Sequence, residues 1–150
     1  NYQPGVTWIA QHKRNPWPNK LVWHNREFQD RRRQRHYWLQ IGGEVGAKTT
    51  ILTAVASRDT NEIALTAQQI AEQPKGQANP VEPQQLSDVK LRVLLHDSLV
   101  NLDRPVKVLC NGKTVFEGKA TRSASIQLET LAEYGDPSMA ASAAVQFSLD

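Results

Sequence analysis

The chain has 150 residues, of which 39% are hydrophobic and 22% are charged. This length is typical of one domain that buries a core without disulfides or metal ions, and this composition excludes a disordered chain. No run approaches the roughly 20 apolar residues of a membrane-spanning helix. The net charge of +3 conceals an asymmetry, because residues 1–50 hold nine Lys and Arg against three Asp and Glu. Such a basic region favours contact with an acidic polymer, or it is a solvated loop.

The first twenty residues are rich in tryptophan and proline. No signal peptide is visible from Asn1 onwards, so we expect any targeting segment to lie upstream. Val6 to Lys13 predicts a short helix, and Pro16 and Pro18 then favour an extended chain. We therefore interpret residues 1–20 as a linker or interdomain segment and residues 21–150 as the folded domain.

Short runs in which apolar and polar residues alternate predict β-strands through most of the chain. The predicted strands are Leu21–Trp23, His36–Ile41, Thr49–Ala56, Glu62–Ala67, Val89–Leu95, Pro105–Cys110, Lys113–Gly118 and Ala143–Leu149. Residues 72–88 hold three prolines and a glycine and predict a loop. In the strand that begins at His36, we expect Tyr37, Leu39 and Ile41 on one face and Trp38 on the other.

The strongest local pattern is Asn111-Gly112 between two alternating runs. This pair predicts a two-residue hairpin turn, because both positions need positive φ. Many short strands without repeated helical crossovers predict an all-β fold, an antiparallel β-sandwich.

One helix is expected near the C-terminus. Ala124, Leu128 and Leu131 fall at i, i+4 and i+7, which is one face of a helix. Ser123 suits its N-cap, and Gly135 suits the left-handed position after its last turn.

Patterns typical of catalytic or metal sites are not found, so we expect no catalytic residue, cofactor or metal in this segment. No Gly-x-Ser-x-Gly elbow occurs, and the four histidines are far apart in sequence. Asp97 and Asp103 suit either a cation site or turn closure, and turn closure is the plainer interpretation. The single Cys110 lies in an apolar strand pattern and predicts a buried thiol.

The most suggestive run for binding is basic and aromatic. Arginines beside aromatic rings bind phosphate backbones and stack on bases or sugars. The candidate binding residues are Arg31, Arg32, Arg33, Arg35, Tyr37 and Trp38. The alternative is a charged loop that leads into a strand, with the tryptophans anchoring the core.

A resemblance to a known group of proteins rests on three parts of the chain. They are the aromatic segments Trp8, Arg14-Asn15-Pro16-Trp17-Pro18, Leu21-Val22-Trp23 and Tyr37-Trp38-Leu39, the run from Leu99 through the Asn111-Gly112 hairpin to Gly118, and the helix between Arg122-Ser123 and Tyr134-Gly135-Asp136-Pro137. Together they resemble the domain that follows the catalytic domain in bacterial α/β-hydrolase-like proteins, such as esterases, peptidases and polyhydroxybutyrate-depolymerase-like enzymes.

The resemblance implies an immunoglobulin-like or fibronectin-like sandwich that acts as a noncatalytic accessory domain. The catalytic residues and the partner domain would then lie upstream in the same polypeptide, in a secreted or periplasmic protein. Trp8, Trp17 and Trp23 would contact that domain and would be exposed without it. The alternative is a module that binds an anionic polymer, either polysaccharide or, less favoured, nucleic acid, through the loop Arg31–Arg35.

Overall fold

The computed structural model describes residues 3–11, 13–26, 34–42, 49–70 and 82–149. Its elements in chain order are α1 (Gln3–Gln11), β1 (Lys20–Asn25), β2 (Arg35–His36), β3 (Leu39–Gly42), β4 (Thr49–Ser57), β5 (Glu62–Ile70), β6 (Gln84–Gln85), β7 (Val89–Leu95), β8 (Val106–Cys110), β9 (Lys113–Gly118), α2 (Ala124–Tyr134), a 3₁₀ turn (Pro137–Met139) and β10 (Ala143–Leu149). Strands dominate and form two sheets, which confirms the predicted all-β sandwich with a helix near the C-terminus.

The two sheets differ in size and in strand direction. The larger sheet has the order β1-β4-β5-β8-β9, with β6 also paired to β5, and the smaller has the order β10-β7-β3-β2. Among the described pairs, β5 and β8 run parallel and the others antiparallel. The sandwich is therefore mainly, but not wholly, antiparallel.

The core lies between the two sheets and follows from the period-two pattern. Val89, Leu91 and Val93 of β7 are buried, as are Val106 and Val108 of β8. Burial of each such aliphatic side chain contributes roughly 1.5–3 kcal/mol. Cys110 is buried at the end of β8, as expected, and burial raises the pKa of its thiol.

The hairpin between β8 and β9 confirms the turn prediction and adds a second role for its asparagine. Asn111 and Gly112 have φ of 49° and 78°. The Asn111 side chain also accepts a hydrogen bond from the Ala67 amide at 2.9 Å and donates one to the Ala67 carbonyl at 3.2 Å. The asparagine amide thus extends the parallel pairing of β5 and β8 beyond the last residue of β8.

The prediction of one continuous strand from His36 to Ile41 is wrong. The chain turns back between β2 and β3, with Tyr37 at φ 52° and His36 opposite Leu39. Two hydrogen bonds hold this turn: Arg35 Nε donates to the Tyr37 carbonyl at 2.8 Å, and the Leu94 amide donates to the Trp38 carbonyl at 2.8 Å. These tertiary contacts stabilise a positive φ that a tyrosine rarely adopts.

Helix α2 confirms the predicted helix near the C-terminus, but its apolar residues do not all face the core. Leu128 is 65% exposed, whereas Thr130 is fully buried. The Thr130 hydroxyl donates to the Ile126 carbonyl and accepts from the Ala141 amide, so the helix turns toward that amide. Ser123 occupies the N-cap position without a side-chain capping bond, and Gly135 adopts the expected left-handed conformation at φ 62°.

The packed domain begins before residue 21. The Trp17 side chain lies in the hydrophobic core, and the Asn19 carbonyl accepts a hydrogen bond from the Ala56 amide at 2.7 Å. Residues 17–20 are therefore integrated into the sandwich, whereas α1 precedes it.

Candidate functional site

Helix α1 presents large apolar side chains to solvent. Val6, Trp8 and Ile9 are 65%, 61% and 66% exposed. With 3.6 residues per turn, these three positions lie within roughly 160° of the helix circumference. They form one apolar surface, which we call the α1 patch. An exposed patch of this kind is typical of a protein-interaction site.

The other three tryptophans belong to the core. Trp17 and Trp23 are buried, so the expectation that they are exposed is wrong. Trp17 Nε1 donates to the Ser138 carbonyl at 2.8 Å, and the Trp23 ring stacks on His36. Trp38 is fully buried and its Nε1 donates to the Pro18 carbonyl at 2.8 Å. Its ring is enclosed by protein and presents no face on which a ligand could stack.

Arg35 anchors α2 to β2. Its side chain is buried, its Nη1 lies 2.6 Å from Glu133 Oε2, and its guanidinium carbon lies 4.3 Å from the centroid of the Tyr134 ring. Tyr37 is half-buried, and Arg14 lies over its ring. Arg31, Arg32 and Arg33 lie outside the described residues.

A cleft of about 610 Å³ opens on the smaller sheet beside α2. Its floor is a row of polar residues that the strand register places side by side across all four strands. In order from β2 to β10, the row is Arg35, Gln40, Arg92 and Gln146. Glu129 and Glu133 of α2 form one wall, and we call this site the Gln/Arg cleft.

Ion pairs fix the polar groups of the Gln/Arg cleft. Arg92 binds Glu129 through both nitrogens, at 2.6 Å and 3.0 Å, and its Nη1 also donates to Gln40 Oε1 at 3.2 Å. The hydrogen bond from Arg92 lowers the pKa of Glu129, and the same bond raises the pKa of Arg92. Glu129 is therefore ionised at neutral pH.

The charges that line the Gln/Arg cleft balance. Its basic residues are Arg35, Lys90 and Arg92, and its acidic residues are Asp88, Glu129 and Glu133. Because three cations face three anions, the described lining has no excess of positive charge for a polyanion.

The sequence alternation identified Arg92 as facing away from the core, but only the strand register brings it beside Gln40 and Gln146.

Asp97 and Asp103 share an arginine. Arg122 Nη2 lies 2.8 Å from Asp97 Oδ1, and its Nη1 lies 2.6 Å from Asp103 Oδ1. The hydrogen bond from Arg122 lowers the pKa of Asp103. The guanidinium thus supplies the positive charge between these carboxylates, and the pair closes the loop between β7 and β8.

His96 belongs to the same loop. Its ring stacks on Trp17, with centroids 4.8 Å apart, and its Nδ1 accepts a hydrogen bond from the Ser98 amide at 3.1 Å. Burial lowers the pKa of His96, and nearby Asp97 partly opposes that shift. Within the described ranges, no group of three or more His, Cys, Asp and Glu side chains is arranged to hold a metal ion.

Neither of the two described α-helices has the length and apolar composition needed to cross a membrane. Comparison of the chain with protein-family models, with curated proteins and with solved structures found no match.

Proposed function

We propose that this chain is a noncatalytic accessory domain that packs against a catalytic domain of the same polypeptide, in a larger bacterial hydrolase that is secreted or periplasmic. The α1 patch supplies the contact, and α1 lies immediately before the residues that enter the sandwich. Tethering of this kind keeps two domains at a high effective concentration without a tight interface.

The observation that carries the proposal is the exposure of Val6, Trp8 and Ile9 on one helix. Transfer of apolar surface from water into an interface contributes roughly 25 cal/mol per Å², so a domain that covers these side chains gains free energy. Tryptophan is also the residue type most enriched where binding energy concentrates. The hydrolase context and the location outside the cytoplasm rest on the motif resemblance alone.

The burial of Trp17 and Trp23 reduces the number of residues that the proposed interdomain contact can involve. Because Trp17 and Trp23 pack in the core, an interdomain contact through them would require the sandwich to open. Trp8 is 61% exposed, so a partner reaches its ring without opening the core. The proposal therefore assigns the contact to α1 and not to the whole aromatic N-terminal segment.

The test begins with the gene region that encodes the residues before Asn1. If it encodes a hydrolase domain, that domain and this chain are expressed as separate polypeptides and their association is measured by calorimetry. A double variant, Trp8→Ser with Ile9→Ser, is expected to weaken association by at least about tenfold, the loss of one hot-spot side chain. Retained affinity in that variant, or a gene that encodes no further domain, would contradict the proposal.

A matched control lies on the larger sheet. Val22 and Val55 are also exposed apolar residues, at 51% and 44%. The double variant Val22→Ser with Val55→Ser removes two exposed apolar side chains outside α1, and we expect it to leave association unchanged. An equal loss in both double variants would indicate nonspecific hydrophobic adhesion and contradict the assignment to α1.

The alternative, an anionic-polymer module, now depends on Arg31, Arg32 and Arg33 and on the half-buried Tyr37. Arg31, Arg32 and Arg33 lie outside the described residues, whereas Arg35 is ion-paired and Trp38 is enclosed. No described contact favours this alternative over the accessory role. Binding to heparin that falls steeply with added salt would support it, and salt-independent or absent binding would remove it.

A further inference from the structure

The Gln/Arg cleft has a chemistry that the accessory role does not use. Its floor carries planar, forked side chains on adjacent strands, which are about 4.8 Å apart in any sheet. Each fork presents hydrogen-bonding atoms in one plane, either donors alone in arginine or a donor and an acceptor in glutamine. Such forks match neighbouring hydroxyl groups on a sugar ring, because each hydroxyl both donates and accepts.

We propose that the Gln/Arg cleft binds a neutral polyhydroxylated ligand, an oligosaccharide segment, through Gln40, Arg92 and Gln146. This site is separate from the α1 patch and does not depend on it. The ligand would run along the row that these residues form across β3, β7 and β10.

Free hydrogen-bonding capacity remains in the row after the internal bonds are made. Arg92 uses both Nη1 protons, on Gln40 and Glu129, and one Nη2 proton on Glu129. Its Nε proton and second Nη2 proton, together with the Gln40 amide NH₂, have no partner among the described hydrogen bonds. Gln146 is exposed on β10 and offers a whole amide to a ligand.

The balance of charge favours a neutral ligand over an anion. Glu129 and Glu133 pair with Arg92 and Arg35 at 2.6 Å, so a phosphate or sulfate group that reached the remaining Arg92 N–H groups would lie close to a carboxylate of like charge. A hydroxyl group is not repelled in this way, since it accepts from those N–H groups and donates to carboxylate oxygens. The ion pairs hold the guanidinium groups of Arg35 and Arg92 in fixed orientations, which reduces the entropy lost when a ligand binds.

Gly42 leaves room at the open end of the floor. It lies opposite Lys90, and a Cβ at this position would stand 3.5 Å from the Lys90 Cβ, which is ordinary contact. A larger side chain therefore fits locally and projects into the part of the cleft that Gly42 lines. This makes Gly42→Leu a variant that blocks the cleft, and Gln146→Ala a second variant that removes one hydrogen-bonding fork at an exposed site.

The experiment is a titration of the whole chain by ¹H–¹⁵N NMR. The probes are neutral hexasaccharides of glucose, xylose, mannose and N-acetylglucosamine, with heparin hexasaccharide as the anionic probe. We expect at least one neutral probe to shift the amides of residues 40–42, 90–92 and 144–148, with a Kd that changes less than about twofold between about 0.05 M and 0.5 M NaCl. Gln146→Ala is expected to weaken that binding roughly two- to tenfold, and Gly42→Leu to abolish it.

Gln68→Ala is the matched control, because Gln68 lies on β5 of the other sheet and is partly exposed. It is expected to leave the Kd unchanged. The proposal is overturned if none of the four neutral probes shifts these amides at millimolar concentration. It is equally overturned if only heparin does so in a salt-dependent way, or if Gln68→Ala weakens binding as much as Gln146→Ala.

Discussion

Arg92 on the smaller sheet and Glu129 on α2 form a two-pronged ion pair, with nitrogen–oxygen distances of 2.6 Å and 3.0 Å. One helical turn further on, Glu133 pairs with Arg35 at 2.6 Å. The two pairs hold α2 on the outer surface of the sheet and define the wall of the Gln/Arg cleft. The helix is thus attached by charge as well as by its buried Thr130.

We expect loss of the Arg92–Glu129 ion pair to lower the free energy of unfolding modestly. Glu129→Gln removes the charge, and because the carboxylate is half-exposed, we expect a loss of about 0.5–1 kcal/mol in the free energy of unfolding. Urea denaturation measures it, and the loss is expected to shrink in high salt. Glu117→Gln is the control, since no described ion pair involves Glu117. Equal effects of the two substitutions would show that the pair contributes nothing specific.

We expect substitution of Asn61 to lower the free energy of unfolding more than substitution of Glu129 does. Its buried side chain donates to the carbonyls of Asn101 at 2.9 Å and Pro105 at 2.8 Å, and it accepts from the Asn101 amide at 2.6 Å. Asn61→Ala leaves the Asn101 amide and the Pro105 carbonyl without these partners, so we expect a loss of about 2–3 kcal/mol in the free energy of unfolding.

A glycine control separates the side chain from the backbone at this position. Asn61 has φ 56°, a conformation that glycine adopts readily and alanine does not. Asn61→Gly therefore loses only the hydrogen bonds, and we expect it to be about 1 kcal/mol more stable than Asn61→Ala. If the glycine variant were as stable as the unmodified chain, the side-chain bonds would have no net value.

We expect the Trp38 ring to stabilise the fold and not to stack on a ligand. Trp38→Phe removes the Nε1 donor and leaves the partly buried Pro18 carbonyl without its partner. We expect a loss of about 2–4 kcal/mol, from the unpaired carbonyl and the smaller ring together. Thermal denaturation followed by circular dichroism gives the value. A variant that keeps full stability would show that the indole is not part of the core.

His96 predicts a dependence of stability on pH. Because burial holds its pKa below the ordinary value of about 6.5, the unfolded chain takes up a proton at higher pH than the folded chain does. The stabilisation is therefore complete above about pH 6.5 and is lost as the pH falls toward the lower folded pKa. Urea midpoints measured between about pH 7 and pH 5 are expected to decrease.

The variant His96→Asn tests whether His96 causes this dependence of stability on pH. Asparagine keeps an acceptor near the Nδ1 position for the Ser98 amide but does not titrate, so its midpoints should vary less over the same range. His24→Asn, at an exposed position on β1, is the control and should retain the slope of the unmodified chain. The account of His96 is wrong if His96→Asn keeps the full slope.

Local sequence patterns were sufficient to predict the structure where backbone conformation alone determines it. The Asn111-Gly112 turn needs positive φ at both residues, and β9 begins directly after it. The bounds of β7 and β10 follow from a largely alternating pattern of apolar and polar residues. The β2–β3 turn escaped prediction because Tyr37-Trp38 carries no turn residue and keeps the alternation of a strand. Burial of the Trp38 ring and its bond to Pro18, twenty residues away in sequence, decide that turn.

Sites that depend on strand order could not be predicted from one sequence. Gln40, Arg92 and Gln146 are each an ordinary outward residue, and only the pairing of β3, β7 and β10 makes them neighbours. The orientation of α2 likewise depends on a tertiary contact, since the buried Thr130 hydroxyl accepts from the Ala141 amide while Leu128 is exposed.

In the proposed function, Trp8 contacts the partner domain and the core tryptophans do not. Acrylamide quenching of tryptophan fluorescence tests it most directly, because Trp8 is the exposed member of the four tryptophans. The isolated chain is expected to show an accessible component that disappears in Trp8→Phe, and the natural full-length product is expected to lack that component. If Trp8 remains as quenchable in the full-length product as in the isolated chain, α1 is not an interdomain contact.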